Sequence, residues 1–438
     1  MKKRVVSLVM ATIMAVSAMT GCGATAKDNA GNQNSQITES QNGNQQNEQD
    51  AEKPKREITY DLKDGVLTIS GDGPMEDYAE DTNDPYHNRS PWYKSAEITK
   101  VVIEDGITHI GSFAFLSCEK LEEVVIADSV KSIGDCAFQS CKNLSKINVP
   151  KTTTEIGRTI LKQTKWMEEQ QANNTYVILN GYLLSVDRSV KEVSIPDGVI
   201  CIDKDAFEKL VRVKYVNIPG SVKRVRQGAF ARCTAEKLEI KEGVEILEAN
   251  SISAKEVVIP KSVIYIGGGC SVPAEYKKDD FTIVNNVLVS CNLNKKTTQL
   301  VVIPEGVKYI ANEAFSGFHH LEKVNIPDSV IGIGSAAFCG CINLDTITLG
   351  SGVKYIGELA FSGSGLKEII LNDGLETIEK EAFRECVRLK AIVIPDSVEY
   401  MGHGVFSGCR NLATVDMPKD VEYMGIDVFD GTKVAQEK

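Results

Sequence analysis

The stretch "AFLSCEKL", Ala114 to Leu121, returns as "AFQSCKNL" at Ala137 to Leu144, 23 residues on. The frame is not confined to that pair. Equivalent apolar positions fall at Val101, Val124, Ile147, Val193, Val216, Leu238, Val257, Val301, Val324, Ile347, Ile369, Ile392 and Val415, and most steps are 22 or 23 residues. A catalytic centre needs its special residues once, so a motif that recurs at fixed period belongs to the scaffold. Self-similarity at roughly 20 to 50 residues marks a solenoid, in which one unit cannot bury its own apolar face and stability comes from stacking.

The shared unit reads V-x-I-P-x-S/G-V-x-x-I-G-x-x-A-F-x-x-C-x-x-L. "VxI" alternates, which predicts a short strand with its Val and Ile on one face. Pro and Asp with Ser or Gly then turn the chain. "VxxIG" predicts a second short extended piece ended by Gly, and "AFxxC" closes the coil. Stacking coils at the inter-strand spacing of about 4.8 Å sets like over like. Phe115, Phe138, Phe207, Phe230, Phe315, Phe338, Phe361, Phe383, Phe406 and Phe429 should therefore form one column. Cys118, Cys141, Cys233, Cys341, Cys386 and Cys409 share the position three after the Phe. They are read as buried free thiols acting as small apolar groups. The rival is a disulfide framework, which suits an exported protein. Eleven cysteines follow Cys22, an odd number that cannot all pair.

The N-terminus predicts export. "MKKR" is a cationic start, and "VVSLVMATIMAVSAM" is an uncharged apolar run too short to span a bilayer comfortably. "MTGC" at Met19 to Cys22 resembles a bacterial lipobox, with Met19 where Leu is usual. On that resemblance residues 1–21 are a lipoprotein signal peptide and Cys22 is the lipidated residue, so the membrane is met through the N-terminal lipid only. Residues 23–55 are rich in Asn, Gln, Ser and Glu. Such a segment buries too little to order itself, which makes residues 22–55 a lipidated cysteine with a disordered tether averaging about 30 Å end to end. The expected localisation is extracytoplasmic, lipid-anchored and surface exposed. The remainder is acidic: net charge is −11 with three cations among the first four residues. Nucleic acid, whose binding runs on Lys and Arg neutralising phosphates, is excluded as a partner.

The repeat resembles the BspA-like leucine-rich repeats of bacterial surface proteins. Leu121 to Cys141 fits that unit position for position, with Ala127 in place of Pro. "GVLTISGDGPMEDY" at Gly65 to Tyr78, with "PWY" at Pro91 to Tyr93, resembles the segment that opens such arrays. The implied fold is a mainly β solenoid of repeats of about 23 residues with short strands. It comprises an N-terminal hairpin cap at 56–100, a solenoid at 101–431 and a tail at 432–438. Two stretches break the period, 151–192 and 270–300, and each holds a two-strand insert around Asn180-Gly181 or Asn285-Asn286. The first pair is a strong hairpin turn and the second a weaker one. Both inserts are expected to pack on the solenoid. The unit 238–256 is short and lacks the Phe.

The resemblance implies binding, since repeat arrays present long regular faces; some relatives are adhesins for host extracellular proteins. Two rows are candidates. The middle residue of the first strand should face outward: Val102, Val125, Val258, Val302, Ile370 and Val393. A contiguous exposed apolar row marks an interaction site; the plainer reading is β-propensity at half-buried positions. The second row precedes the Ile or Met of the second strand: Tyr265, Tyr309, Tyr355, Tyr400 and Tyr423. Tyrosine favours interfaces; the plainer reading is an aromatic ladder that stiffens the sheet.

Signals for catalysis are weak. Of five histidines, His87, His109, His319, His320 and His403, the adjacent pair sits at a turn without a carboxylate pattern. Cys339 and Cys341 form a lone C-x-C, whereas a closed zinc site takes four ligands. "GGG" at Gly267 to Gly269 lacks the Lys and Ser of a phosphate loop. The chain is expected to be no enzyme and to need no cofactor and no metal. Three functions stand: a surface binding protein or adhesin for a protein ligand, host matrix included; a glycan- or peptide-capturing lipoprotein stacking sugars on the tyrosine row; and a structural envelope protein.

Overall fold

The computed structural model describes residues 56–79, 89–208, 210, 213–277 and 280–434. The leader, Cys22, the tether, His87 and residues 435–438 lie outside the described residues. The described chain forms two compact units that divide between Glu169 and Gln170, inside the first break in the repeat.

Both units are built from two rows of parallel strands with the core between them, as the alternation of "VxI" and "VxxI" requires. In the first unit, the row Lys100–Ile103, Glu123–Ile126 and Lys146–Ile147 pairs coil on coil, Val101 opposite Val124 and Val124 opposite Ile147. Val101, Ile103, Val124 and Ile126 point in and are buried. The second row is Gly73–Pro74, Ile107–Ile110, Ser132–Ile133 and Glu155–Ile156. An antiparallel hairpin, Thr59–Lys63 with Val66–Ser70, opens the first row, its second strand pairing parallel with Lys100–Ile103. Trp92 lies flat over Phe115 at 5.5 Å, and Tyr60 sits 4.8 Å from Trp92. The end of the ring column is thereby closed.

The second unit repeats the plan. Its phenylalanines stack: Phe207 on Phe230 at 4.2 Å, then Phe315, Phe338, Phe361, Phe383, Phe406 and Phe429 at spacings of 4.9 to 5.7 Å with planes within 11°. Each buried ring contributes on the order of 1.5 to 3 kcal/mol. The residue two after each Phe in this run has a left-handed backbone, which explains Gly317, Gly340, Gly363, Gly408 and Gly431 there.

The repeated cysteines are free thiols, and all eleven after Cys22 are unbridged. Their constancy has a reason beyond size. Cys141, Cys341, Cys386 and Cys409 donate to the carbonyls of Phe115, Phe315, Phe361 and Phe383 on the preceding coil, at 3.0 to 3.2 Å. Cys118 does the same to the carbonyl of Trp92. A small apolar group with one weak donor fits a core position beside a carbonyl with a spare lone pair.

The Gly of "IG" is set by coil spacing. A Cβ on Gly134, Gly157 or Gly402 would stand 2.3 to 2.4 Å from backbone atoms of the coil before it. At these three coils no side chain fits the gap, although other coils carry Asp203, Arg226, Glu248 and Glu379 at the equivalent position.

The two insertions do not simply pack on the solenoid. Tyr176–Leu179 with Tyr182–Val186, and Phe281–Val284 with Val287–Cys291, are antiparallel hairpins turning at Asn180-Gly181 and Asn285-Asn286. The second strand of each heads the second row, Tyr182 opposite Cys201 and Val287 opposite Tyr309. They are built into the sheet because that strand carries the same inward apolar residues, Leu183 and Leu288, as the row it leads. The first insertion also holds a helix, Lys165–Asn173, which strand periodicity did not signal; it buries only Met167. At the short unit the registered step is Leu238 opposite Val257.

Candidate binding surface

The outward row of the first strands divides by position. Val102 and Val125, in the first unit, are half-buried. In the second unit Val258 is exposed, and Val302, Ile370 and Val393 show 57%, 84% and 62% of their surface. Their neighbours Val301, Ile369 and Ile392 are buried, so strand alternation alone turns these side chains out. Asn325 and Thr348 fill the same column between Val302 and Ile370, which leaves Ile370 and Val393 on consecutive coils as its most apolar part. β-propensity at half-buried positions accounts for Val102 and Val125 and does not account for the other four.

The tyrosine row is not an exposed ladder. Tyr265 is fully buried and Tyr355 nearly so, while Tyr309 and Tyr400 are half-buried and Tyr423 is exposed. The cause lies in the neighbours. Gly332, which has no side chain, stands between Tyr309 and Tyr355 in the row. Tyr265 and Tyr355 pack there with Ile246 and Tyr309. The Tyr265 hydroxyl donates to Asn312 Oδ1 at 2.9 Å, and the same oxygen accepts the Ser335 N–H. Tyr400 and Tyr423 do stack, at 4.9 Å and 11°, with His403 edge-on to Tyr423. Of the five, Tyr423 is the one exposed to a ligand.

Polar groups buried behind the second row were missed from the sequence. Asp203, Arg226 and Glu248 occupy the column that elsewhere holds the "IG" glycine. Arg226 donates to Asp203 at 2.8 Å and lies 5.1 Å from the Tyr182 ring. Glu248 accepts the Gln227 N–H. The alternating acid, base and acid in three successive units was the available signal. Further along, Glu379 stands in the same column with Glu358 one coil before and one residue on. Burial pushes both carboxyls up to about 7, against the pull of Lys380 on Glu358 and of the nearby Tyr355 hydroxyl on Glu379.

His319 and His320 are exposed at a turn. Cys341 is buried and Cys339 half-buried, so the C-x-C faces two environments. Among the described residues no group of three or more His, Cys, Asp or Glu lies together as a metal ion would require.

The coil geometry is now joined by a family match. The BspA type leucine rich repeat region matches in six copies, over residues 88–185, 178–273, 281–362 and 333–436. The chain belongs to the BspA-type leucine-rich repeat family. Similar solved structures include a leucine rich cell surface protein from Faecalibacterium prausnitzii, 25% identical over 82% of this chain and 92% of its own, TM-score 0.32. A leucine-rich repeat protein from Eubacterium ventriosum is 25% identical over 86% and 93%, TM-score 0.30. The leucine rich repeat protein of T. pallidum is 29% identical over 36% and 88%, TM-score 0.31. No curated protein matches the sequence. In this BspA-type chain the matched repeats carry the stacked phenylalanines, the paired strand rows, and the exposed Ile370, Val393 and Tyr423. Among the described residues no helix is long and apolar enough to cross a membrane.

Proposed function

We propose that the chain is a membrane-anchored cell-surface binding protein that works through protein–protein contact, adhesion included, using the outward face of its C-terminal repeats. It is read as a binding protein and not an enzyme. The observation that carries this is the exposed apolar column, with Ile370 84% open and Val393 62% open on consecutive coils. Apolar side chains so placed gain from a partner that removes them from water, at roughly 25 cal/mol per Å². Membership of the BspA-type leucine-rich repeat family, and the resemblance of Met19 to Cys22 to a lipobox, support surface display through Cys22. The glycan-capturing alternative is left a smaller platform, because Tyr265 and Tyr355 are buried and offer no face to a sugar.

The test is surface plasmon resonance of the purified chain against a panel of host extracellular matrix proteins and glycans, repeated with an Ile370→Asp, Val393→Asp double variant. The expected result is saturable binding of at least one protein, lost in the variant at unchanged melting temperature. Binding to glycans alone, silence throughout from a folded chain, or equal binding by the variant would overturn the reading.

A further inference from the structure

We propose that the apolar column at Ile370 and Val393 seats an amphipathic helix of a partner protein, its apolar stripe edged on both sides by lysine or arginine. This rests on the reading that the chain binds protein through that column, and it names the chemistry of what binds.

The column is bounded by acids. Glu368 lies two residues before Ile370. Asp373 and Asp396 lie three residues after Ile370 and Val393, in the turns that follow the strands. Asp416 stands directly opposite Val393 on the next coil. All four carboxylates are exposed, and among the described residues none of them is in an ion pair. Nearby acids are neutralised instead: Asp345 by Lys367 and Arg388 at 2.6 and 2.7 Å, and Glu376 by Lys354 at 2.6 Å. Against the four stand the exposed Lys390 and Lys419. The surroundings of the column are therefore anionic.

The placement of the acids selects the shape of the occupant. Glu368 falls on one side of the column, Asp373 and Asp396 on the other, each within about 10 Å at a strand rise of about 3.3 Å per residue. An extended segment laid along the column points its side chains alternately toward it and away, with none to send to both flanks. A helix has them. One helical turn rises about 5.4 Å, close to the coil spacing of about 4.8 Å, so residues one turn apart meet Ile370 and Val393. The helix radius of about 5 to 6 Å carries the flanking side chains out to the acids.

Charge selects the partner. The chain carries a net charge of −11, so a second copy would set acid against acid. Lysine and arginine suit the site twice over, because their aliphatic stems lie along apolar surface while their heads stay with the carboxylates.

The experiment is isothermal titration of the full chain with a blocked helical peptide whose leucine stripe is edged on both sides by lysine. Two comparison peptides carry glutamate for lysine, or the same composition broken by a central proline. The lysine helix should bind saturably and weaken as salt rises, and the other two should not bind. The triple variant Glu368→Gln, Asp373→Asn, Asp396→Asn should weaken it roughly tenfold. The double variant Ile370→Asp, Val393→Asp adds two acids, so attraction by charge alone would strengthen binding; the expected loss marks the apolar contact. No binding of the lysine helix, equal binding of either comparison peptide, indifference to the triple variant, or tighter binding by the double variant would overturn the assignment. Sedimentation closes the other possibility: a dimer abolished by the double variant would give the column to a second copy instead. A matrix protein that is lost in the double variant but indifferent to the triple one would leave the proposed function standing and overturn this inference. A lysine helix that behaves as expected while every matrix protein stays silent would do the reverse.

Discussion

The Cys409 thiol donates to the Phe383 carbonyl at 3.1 Å, and the same oxygen accepts the Cys386 N–H at 3.2 Å. The carbonyls of Phe115, Phe315 and Phe361 are used in the same way, with one bond from within the coil and one from the cysteine of the next. Cys409→Ala removes a buried sulfur and a weak donor together. It should lower stability by about 1 to 2 kcal/mol in chemical unfolding. A cost no larger than that of an exposed substitution would show that the bond contributes nothing.

Native-state labelling checks the thiols from a second side. Burial pushes Cys341 up to about 12 and Cys201 up to about 11, so neither supplies thiolate near neutrality. Iodoacetamide at pH 8 should leave Cys118, Cys141, Cys341, Cys386 and Cys409 unmodified in the folded chain. All should react after unfolding without reductant. Cysteines that stay unreactive under denaturant until reduced would restore the disulfide framework.

Phe338 lies between Phe315 at 4.9 Å and Phe361 at 5.3 Å, fully buried. Phe338→Ala opens a cavity that stacked coils cannot close and should cost about 3 to 5 kcal/mol. Ile370→Ala, on the exposed column, should fall within about 0.5 kcal/mol of the parent. Calorimetry of both variants separates core from surface: an unchanged melting temperature for Phe338→Ala would refute the column.

What the sequence disclosed and what it concealed follow one physical line. Inward positions are legible because every coil must fill them alike, so Val101, Phe115 and Cys118 recur and their burial follows from recurrence. Outward positions are filled independently, and their exposure depends on the neighbouring coil. Ile370 could be placed outward by alternation alone. Tyr355 could not be placed, because its burial requires Gly332 one coil before and Tyr265 opposite. The Asp203–Arg226 pair was hidden for a similar reason, standing where the repeat calls for glycine and looking like mere deviation.

Gly402 tests the coil spacing directly. A Cβ there would meet the Lys380 backbone nitrogen at 2.3 Å and its Cα at 2.7 Å. Backbone cannot step aside as a flexible side chain can. Gly402→Ala should force the coils apart and destabilise the chain by about 1 to 3 kcal/mol, despite alanine's ordinary preference over glycine. A neutral or stabilising effect would mean that the spacing is looser than the structure shows.

Glu358 and Glu379 make the second unit sensitive to pH. Both are raised by burial from the usual carboxylate range to about 7. A raised acid binds its proton more tightly folded than unfolded, so low pH favours the folded state. Their contribution is fully present below about pH 4.5 and is lost as pH rises through about 7. Each is partly open to solvent, so the loss per group is discounted to roughly 1 to 2 kcal/mol. Urea unfolding should therefore give a lower midpoint at pH 8 than at pH 5. Glu379→Gln, which stays neutral beside the Tyr355 hydroxyl, should keep the stability of the acidic form and flatten that difference. The same fall between pH 5 and pH 8 in the Gln variant would show that Glu379 is already ionised in the folded chain and that its environment is wetter than its place in the glycine column implies.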